Sequence, residues 1–228
     1  MSKLYGVSMG PGDPGLVTNR ALNIIKEADV LLIPTGRKED SRAYRIAAGY
    51  IPLLDEKECL AYEFPMTRDE TVLVARRRSI YEDAKRIVQA GRSVACLVIG
   101  DASLYATFGY LLEMAKADGI DCEVVSGVNS FSEAAAALTL PVALDDEEVH
   151  IIPGSADLSA SLSYPGTKIY MKLGRKLKEL LDLLRKDASS GRISVSAVEN
   201  AGMPDEKIYP TYDDIPESAG YLTTVIVK

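Results

Sequence analysis

From residue 3 to residue 116, short β-branched and aliphatic runs alternate with longer stretches of helical periodicity. Strands are expected over 3–9, 30–33, 59–64 and 94–99, and helices over 16–27, 41–50, 71–90 and 103–116, the third closed by Gly91 in the C′ position. A strand followed by a helix and another strand is a crossover, and crossovers set neighbouring strands parallel. The first half is therefore expected to fold as a parallel α/β sheet. The polar turn at 117–121, Ala-Asp-Gly-Ile-Asp, is the expected boundary. It yields an N-terminal α/β domain over 1–118 and a C-terminal α/β domain over 122–228. In the second half, strands at 123–125, 149–152, 168–171, 193–198 and 221–227 outnumber helices at 130–138 and 176–186. A larger strand share of this kind predicts a mixed sheet.

Two hundred and twenty-eight residues are enough for one large domain or two small ones, each with its own core. A net charge of −7 argues against a general nucleic-acid binder. The basic run Arg76-Arg77-Arg78, with Lys85, Arg86 and Arg92, is interleaved with Glu82 and Asp83 and reads as a solvated helix face. Cys59, Cys96 and Cys122 are odd in number and scattered, which points to a reducing, cytoplasmic compartment, with Cys96 a small core residue. No apolar stretch nears the ~20 residues of a membrane span, and no basic start precedes an apolar core. His150, the single histidine, leaves almost no material for a histidine-rich metal site or a Ser-His arrangement, so no metal is expected.

Two glycine-acid turns stand out. Gly10-Pro11-Gly12-Asp13-Pro14 follows the first strand-like run, and Gly100-Asp101-Ala102-Ser103-Leu104-Tyr105 follows the run at 94–99. Glycine at a strand end lets backbone approach a ligand, and the acids suit a cationic or hydroxyl-rich ligand better than a phosphate. Gly10, Gly12 and Gly15 do satisfy G-x-G-x-x-G. However, Pro11 and Pro14 remove N–H donors, Asp13 sets a negative charge where phosphates would lie, and the second strand runs into Pro34-Thr35-Gly36 with no acid at its end. A dinucleotide site is therefore disfavoured. Purely structural readings remain for both acids: Asp13 beside a helix N-terminus, and Asp101 as N-cap of the helix after it. A third segment, Ser126-Gly127-Val128-Asn129-Ser130-Phe131-Ser132, leads into the small-residue helix Glu133–Leu138, which suits either a nearby ligand or close helix packing. If the strands are parallel, residues 10–14 and 100–105 share the sheet edge at which open α/β folds bind ligands.

The order of GPGDP, GDxSLYxTF, SGVNSF and YMKLGR along the chain resembles the tetrapyrrole methylases, and the resemblance extends through Val198-Glu199-Asn200-Ala201 and Tyr221-Leu222-Thr223-Thr224. LYATF and MKLGR are most similar to the C20-methyltransferases of cobalamin synthesis, which act on precorrin-2 or cobalt-factor II. Ser126 and Ala102 stand where many members have proline. The resemblance implies a class III S-adenosylmethionine (SAM) enzyme of two α/β domains with the active-site cleft between them, releasing S-adenosylhomocysteine (SAH), and commonly homodimeric. It places Pro11, Ile99, Gly100, Asp101, Leu104, Tyr105, Asn129, Ser130, Met171, Ala201, Leu222 and Thr223 at the SAM site. Backbone groups of Gly100, Met171 and Ala201 would take adenine and ribose, and Asp101 would face the charged donor; on its residue type alone, Met171 reads as core.

The acceptor carbon of a reduced tetrapyrrole is enamine-like, so positioning rather than acid–base machinery is expected to carry the reaction. Tyr105 or Asp13 would take the C20 proton, with bulk water an equal alternative. The acceptor is a polycarboxylate, for which Arg20, Arg37, Lys38, Arg42 and Arg45 are candidate contacts, or else an ordinary solvated loop and helix start. The alternatives are another class III methyltransferase acting on a different tetrapyrrole position, on rRNA ribose or on a protein side chain, then a non-catalytic SAM-binding module, and then an NAD-dependent oxidoreductase. Neither nucleic acid nor membrane is an expected partner.

Overall fold

The computed structural model describes residues 2–52, 54–63, 67 and 69–228; Met1 and Phe64, the expected end of the third strand, lie outside the described residues. The chain forms two compact units, Met1–Asn129 and Ser130–Lys228.

The first unit holds a five-stranded, wholly parallel sheet in the order β3-β2-β4-β1-β5, with β1 Leu4–Ser8, β2 Val30–Ile33, β3 Glu58–Ala61, β4 Val94–Val98 and β5 Cys122–Val125. Every residue of β2 and of β4 is buried, as a parallel strand covered on both faces requires. The two-residue alternation divides these strands between two cores. Leu31, Ile33, Ala95 and Leu97 pack with Ile25 of α1 (Asn19–Glu27) and with Tyr44 and Ile46 of α2 (Arg42–Ala48). Val30, Leu32, Val94 and Cys96 pack with Ile80, Tyr81 and Ala84 of α3 (Glu70–Gln89) and with Phe108 and Leu111 of α4 (Phe108–Ala117).

Three details of this unit differ from the sequence-based expectation, each for a definite physical reason. The first helix begins at Asn19 rather than at residue 16, because Asp13 caps a separate 3-10 turn at Pro14–Leu16 and Thr18 caps α1 through the Ala21 N–H. The fourth helix begins at Phe108 rather than at residue 103, because Tyr105 takes a left-handed φ of 49° that no helix continues through. Finally, β5 pairs with β1 in parallel, so the strand after the 117–121 turn completes the first sheet and the first unit runs on to Asn129.

The second unit carries a mixed sheet in the order β6-β7-β10-β8-β9: β6 Val149–Pro153, β7 Thr167–Met171, β8 Val195–Glu199, β9 Lys207–Tyr209 and β10 Thr223–Val227. The β6–β7 pair is parallel, and β10 runs antiparallel to β7 and β8. On one side Tyr170, Ala197 and Val225 pack with Leu177, Leu180 and Leu184 of α7 (Leu177–Ser189). Ala134 and Ala135 of α5 (Ser130–Ala137) pack with Val198, Ala201 and Ile226, so the alanine run serves close helix–sheet packing. The short edge strand β9 and the one-turn helix α6 (Leu158–Ser161) carry no periodicity long enough to read from sequence. Among the described residues, no helix is long and apolar enough to cross a membrane.

Candidate functional site

In a parallel sheet every strand points the same way, so the segments leaving β1, β4 and β5 emerge at one edge. β1 and β4 are neighbours, and β4 also borders β2, so the connections that leave β1 and β4 lie side by side where a doubly wound sheet takes its ligand. The two glycine turns meet there. Gly10 donates its N–H to the Gly100 carbonyl at 3.2 Å, and Gly100 returns its own N–H to the Gly10 carbonyl at 2.7 Å. Both residues are left-handed, at φ 70° and 74°, a conformation a side chain would strain. Among the described residues other than its chain neighbours, no atom lies within 4 Å of where a Gly100 Cβ would stand, so this edge has open room beside its backbone. The Gly100 N–H is thus committed to Gly10, while its carbonyl keeps a second lone pair.

Asp101 is buried, with 8% of its surface exposed. One carboxylate oxygen accepts the Gly127 N–H at 2.7 Å; the other accepts the Ser103 N–H at 2.8 Å and the Ser103 hydroxyl. Burial works to raise its pKa, but these bonds outweigh it and hold the carboxyl below its ordinary range. Asp101 does not cap α4; it joins the turn after β4 to the turn after β5. A carboxylate offers about four lone-pair directions, so one remains for a ligand. Asp13 is exposed and its carboxylate caps Gly15 N–H at 2.7 Å. Pro11 is buried, while Ile99, Leu104 and Asn129 are half-buried. Tyr105 is 39% exposed, and burial of the rest of it pushes its hydroxyl pKa up, which keeps the proton on the phenol at neutral pH.

The other expected site residues belong to the second unit. Because β10 runs against both β7 and β8, the ends of β7 and β8 and the start of β10 share one edge of that sheet, and Asn200 donates its N–H to the Leu222 carbonyl at 3.2 Å. Met171, Ala201, Leu222 and Thr223 are thereby brought together. Thr223 is buried and its hydroxyl donates to the Gly220 carbonyl at 2.8 Å; the Met171 carbonyl accepts the Gly154 N–H at 2.8 Å. Ser130 opens α5.

Glu199, which closes β8, was given no role by sequence reasoning. Its carboxylate accepts from Gly220 N–H at 2.8 Å and Tyr209 OH at 2.9 Å, with Lys207 Nζ at 3.6 Å. Burial opposes ionisation, yet these partners keep the carboxyl low, as at Asp101. The legible signal was the same in both places: one acid at or just after the end of an apolar strand. Tyr105, Lys172 and Asn200 are all left-handed, with φ of 49°, 54° and 54°, and each falls in one of these strand-end turns; Thr139 and Asp145 are left-handed elsewhere, in the connection between α5 and β6. Strained backbone of this kind gathers where ligands are held. Lys172 is also half-buried, and burial lowers its ammonium pKa.

Three of the candidate cations already hold acids: Arg20 pairs with Glu123, Arg37 with Asp40 at 2.9 Å, and Lys38 with Asp55 at 2.8 Å. The arginine run is likewise engaged. Arg77 lies 3.6 Å from the Tyr110 ring centroid, Arg76 is 5.4 Å from that of Tyr62, and Arg78 pairs with Glu82 at 3.4 Å. The dinucleotide reading fails on geometry as well, since the glycine turn opens a 3-10 turn instead of α1. Among the described residues, no group of three histidine, cysteine or acidic side chains is placed to hold a metal ion.

The profile of the Tetrapyrrole (Corrin/Porphyrin) Methylases matches residues 3–215. A probable cobalt-precorrin-2 C(20)-methyltransferase of Methanocaldococcus jannaschii is 32% identical across 100% of this chain and 96% of its own. The cobalt-precorrin-2 C(20)-methyltransferase of Salmonella typhimurium is 30% identical across 99% and 96%. Among solved structures, a cobalt precorrin-4 methyltransferase superposes with a TM-score of 0.75 at 22% identity, over 99% of this chain and 94% of that one. A Thermus thermophilus uroporphyrin-III C-methyltransferase complexed with S-adenyl homocysteine gives 0.68 at 23%, over 99% and 92%. These two structures share the fold.

Proposed function

The chain belongs to the tetrapyrrole methylases, and from that premise we propose that it transfers a methyl group from SAM to C20 of precorrin-2, or of its cobalt-carrying form, during corrin ring synthesis. One observation carries the reading: end-to-end similarity, at 32% and 30% identity, to two proteins named for this C20 methylation. The residues we assign to donor binding, from the family resemblance, are Pro11, Ile99, Gly100, Asp101, Leu104, Tyr105, Asn129, Ser130, Met171, Ala201, Leu222 and Thr223. The open room beside Gly100 fits a ligand that needs close backbone approach, and the ionised Asp101 fits a cationic one. The enzyme works as a homodimer, as the family resemblance implies, and in the cytoplasm, the compartment to which its scattered cysteines point.

Bound there, SAM supplies an electrophilic methyl on a sulfonium. The chain's own residues orient. Asp101 stays ionised and adds a negative charge beside the donor, and the Gly10–Gly100 bridge holds two turns at a fixed spacing. The Tyr105 ring walls the site, and its hydroxyl, protonated at neutral pH, donates rather than abstracts. Such positioning alone can lower a barrier by ~7–11 kcal/mol. The C20 proton leaves to water.

The test is purified protein mixed with SAM and the dihydro-tetrapyrrole, metal-free and cobalt-loaded. Mass spectrometry is expected to show the gain of one methyl, and calorimetry to show SAH binding at micromolar affinity or better, about −8 kcal/mol. No heat with SAM or SAH at high concentration contradicts the reading, and methyl transfer to RNA ribose instead would favour the rival acceptor.

A further inference from the structure

Ser8 ends β1, is wholly buried, and carries a hydroxyl that belongs to no expected site. Its Oγ accepts the N–H of Ala102 at 2.8 Å, in the middle of the turn after β4. From the other side, a Cβ added to Gly127 would collide with the Cβ of Ser8 and stand 3.2 Å from the Gly100 carbonyl. Asp101 closes the set by accepting the Gly127 N–H at 2.7 Å. Three strand ends are therefore locked through one side chain: β1 supplies the hydroxyl, β4 the amide, and β5 a residue with no side chain.

We propose that Ser8 is a positioning residue for the methyl-donor site, setting the spacing of the 100–105 and 126–129 turns by this interlock. The proposal rests on reading those turns as the donor site. Ser8 touches no donor atom; it acts by keeping the turn in its binding shape. A buried amide left without an acceptor disfavours that shape. Apparent affinity then falls by the fraction of molecules that leave it, while saturation with donor restores the shape and the rate.

In Ser8→Ala, calorimetry with SAH at 25 °C is expected to show about a tenfold rise in Kd. The KM for SAM should rise in parallel, with kcat close to that of the unchanged chain. A lowered Tm with an unchanged Kd and KM would mean that Ser8 is merely structural, and would overturn the proposal. The steric half is read without any ligand. Gly127→Ala and Ser8→Gly should each lower Tm, but the double variant should melt above Gly127→Ala alone, because removing the Ser8 Cβ makes room for the new one. Simply additive losses would overturn the interlock. If the unchanged chain itself fails to bind SAM and SAH, the proposed function falls and the donor role of Ser8 falls with it, whereas the melting comparison still judges the contact.

Discussion

Asp101 and Asp13 look alike in the sequence, each an acid after a glycine at a strand end. Their surroundings separate them. Asp101 is buried and joins two turns through Gly127 and Ser103, whereas Asp13 is exposed and caps Gly15. Asp101→Ala leaves the Gly127 and Ser103 amides without their acceptor and, in the proposed function, removes the charge beside the donor. It should weaken SAM binding at least tenfold more than Asp13→Ala, a difference of about 1.4 kcal/mol. Calorimetry on both variants checks this, and equal losses would refute the division of roles. Tyr105 offers a sharper test of chemistry. A true general base contributes about 10²–10⁴-fold. Because its raised pKa keeps Tyr105 protonated, Tyr105→Phe should lose less than about a hundredfold in single-turnover methylation at saturating SAM. A collapse beyond a thousandfold with the fold intact would make Tyr105 the residue that handles the C20 proton.

Strand identity was legible from sequence because buried parallel strands must be continuously apolar. The runs at 30–33 and 94–98 declare themselves, and the parallel order follows from the helices between them. Element starts were less legible where a single backbone angle decides. Nothing in the composition of 103–107 announces that Tyr105 is left-handed, and the helix is delayed to Phe108. The place of β5 was also hidden, since the 117–121 turn is as polar as any linker and only pairing with β1 assigns the strand to the first unit. The strand-end glycines could be read, because glycine at a strand end has few other uses. Ser8 could not, because its role comes from what three strand ends place against it; Glu199 showed the acid at a strand end, but its partners Gly220 and Tyr209 come only with the fold. The two sheets nonetheless share a device: each has an acid at or just beyond the end of an inner strand, fixing a neighbouring turn. Burial disfavours the charge of Asp101 and of Glu199, yet hydrogen bonds to each keep its pKa lowered. A carboxyl with a lower pKa folded than unfolded contributes stability above its unfolded value, and that stability is lost as pH falls through the folded one. Urea midpoints should therefore hold between pH 7 and about 5 and drop below about 4. Asp101→Asn should shrink the acid drop, and an unchanged acid limb would contradict the assignment.

At the scale of the whole molecule, the proposed function makes the chain a scaffold whose strand-end turns hold a reactive donor against an electron-rich ring, with little proton transfer demanded of any side chain. Its two units, Met1–Asn129 and Ser130–Lys228, each carry a cluster of such turns, and its similarity to C20-methyltransferases runs from end to end. The central claim concerns one carbon, and isotope labelling reads it directly. The intact protein would be supplied with SAM carrying a ¹³C-methyl group and with the dihydro-tetrapyrrole, and the purified product examined by NMR. The account predicts a single new labelled methyl on C20, from which the meso proton has been lost. A label at any other ring position, or none in the presence of demonstrated SAM binding, would contradict it.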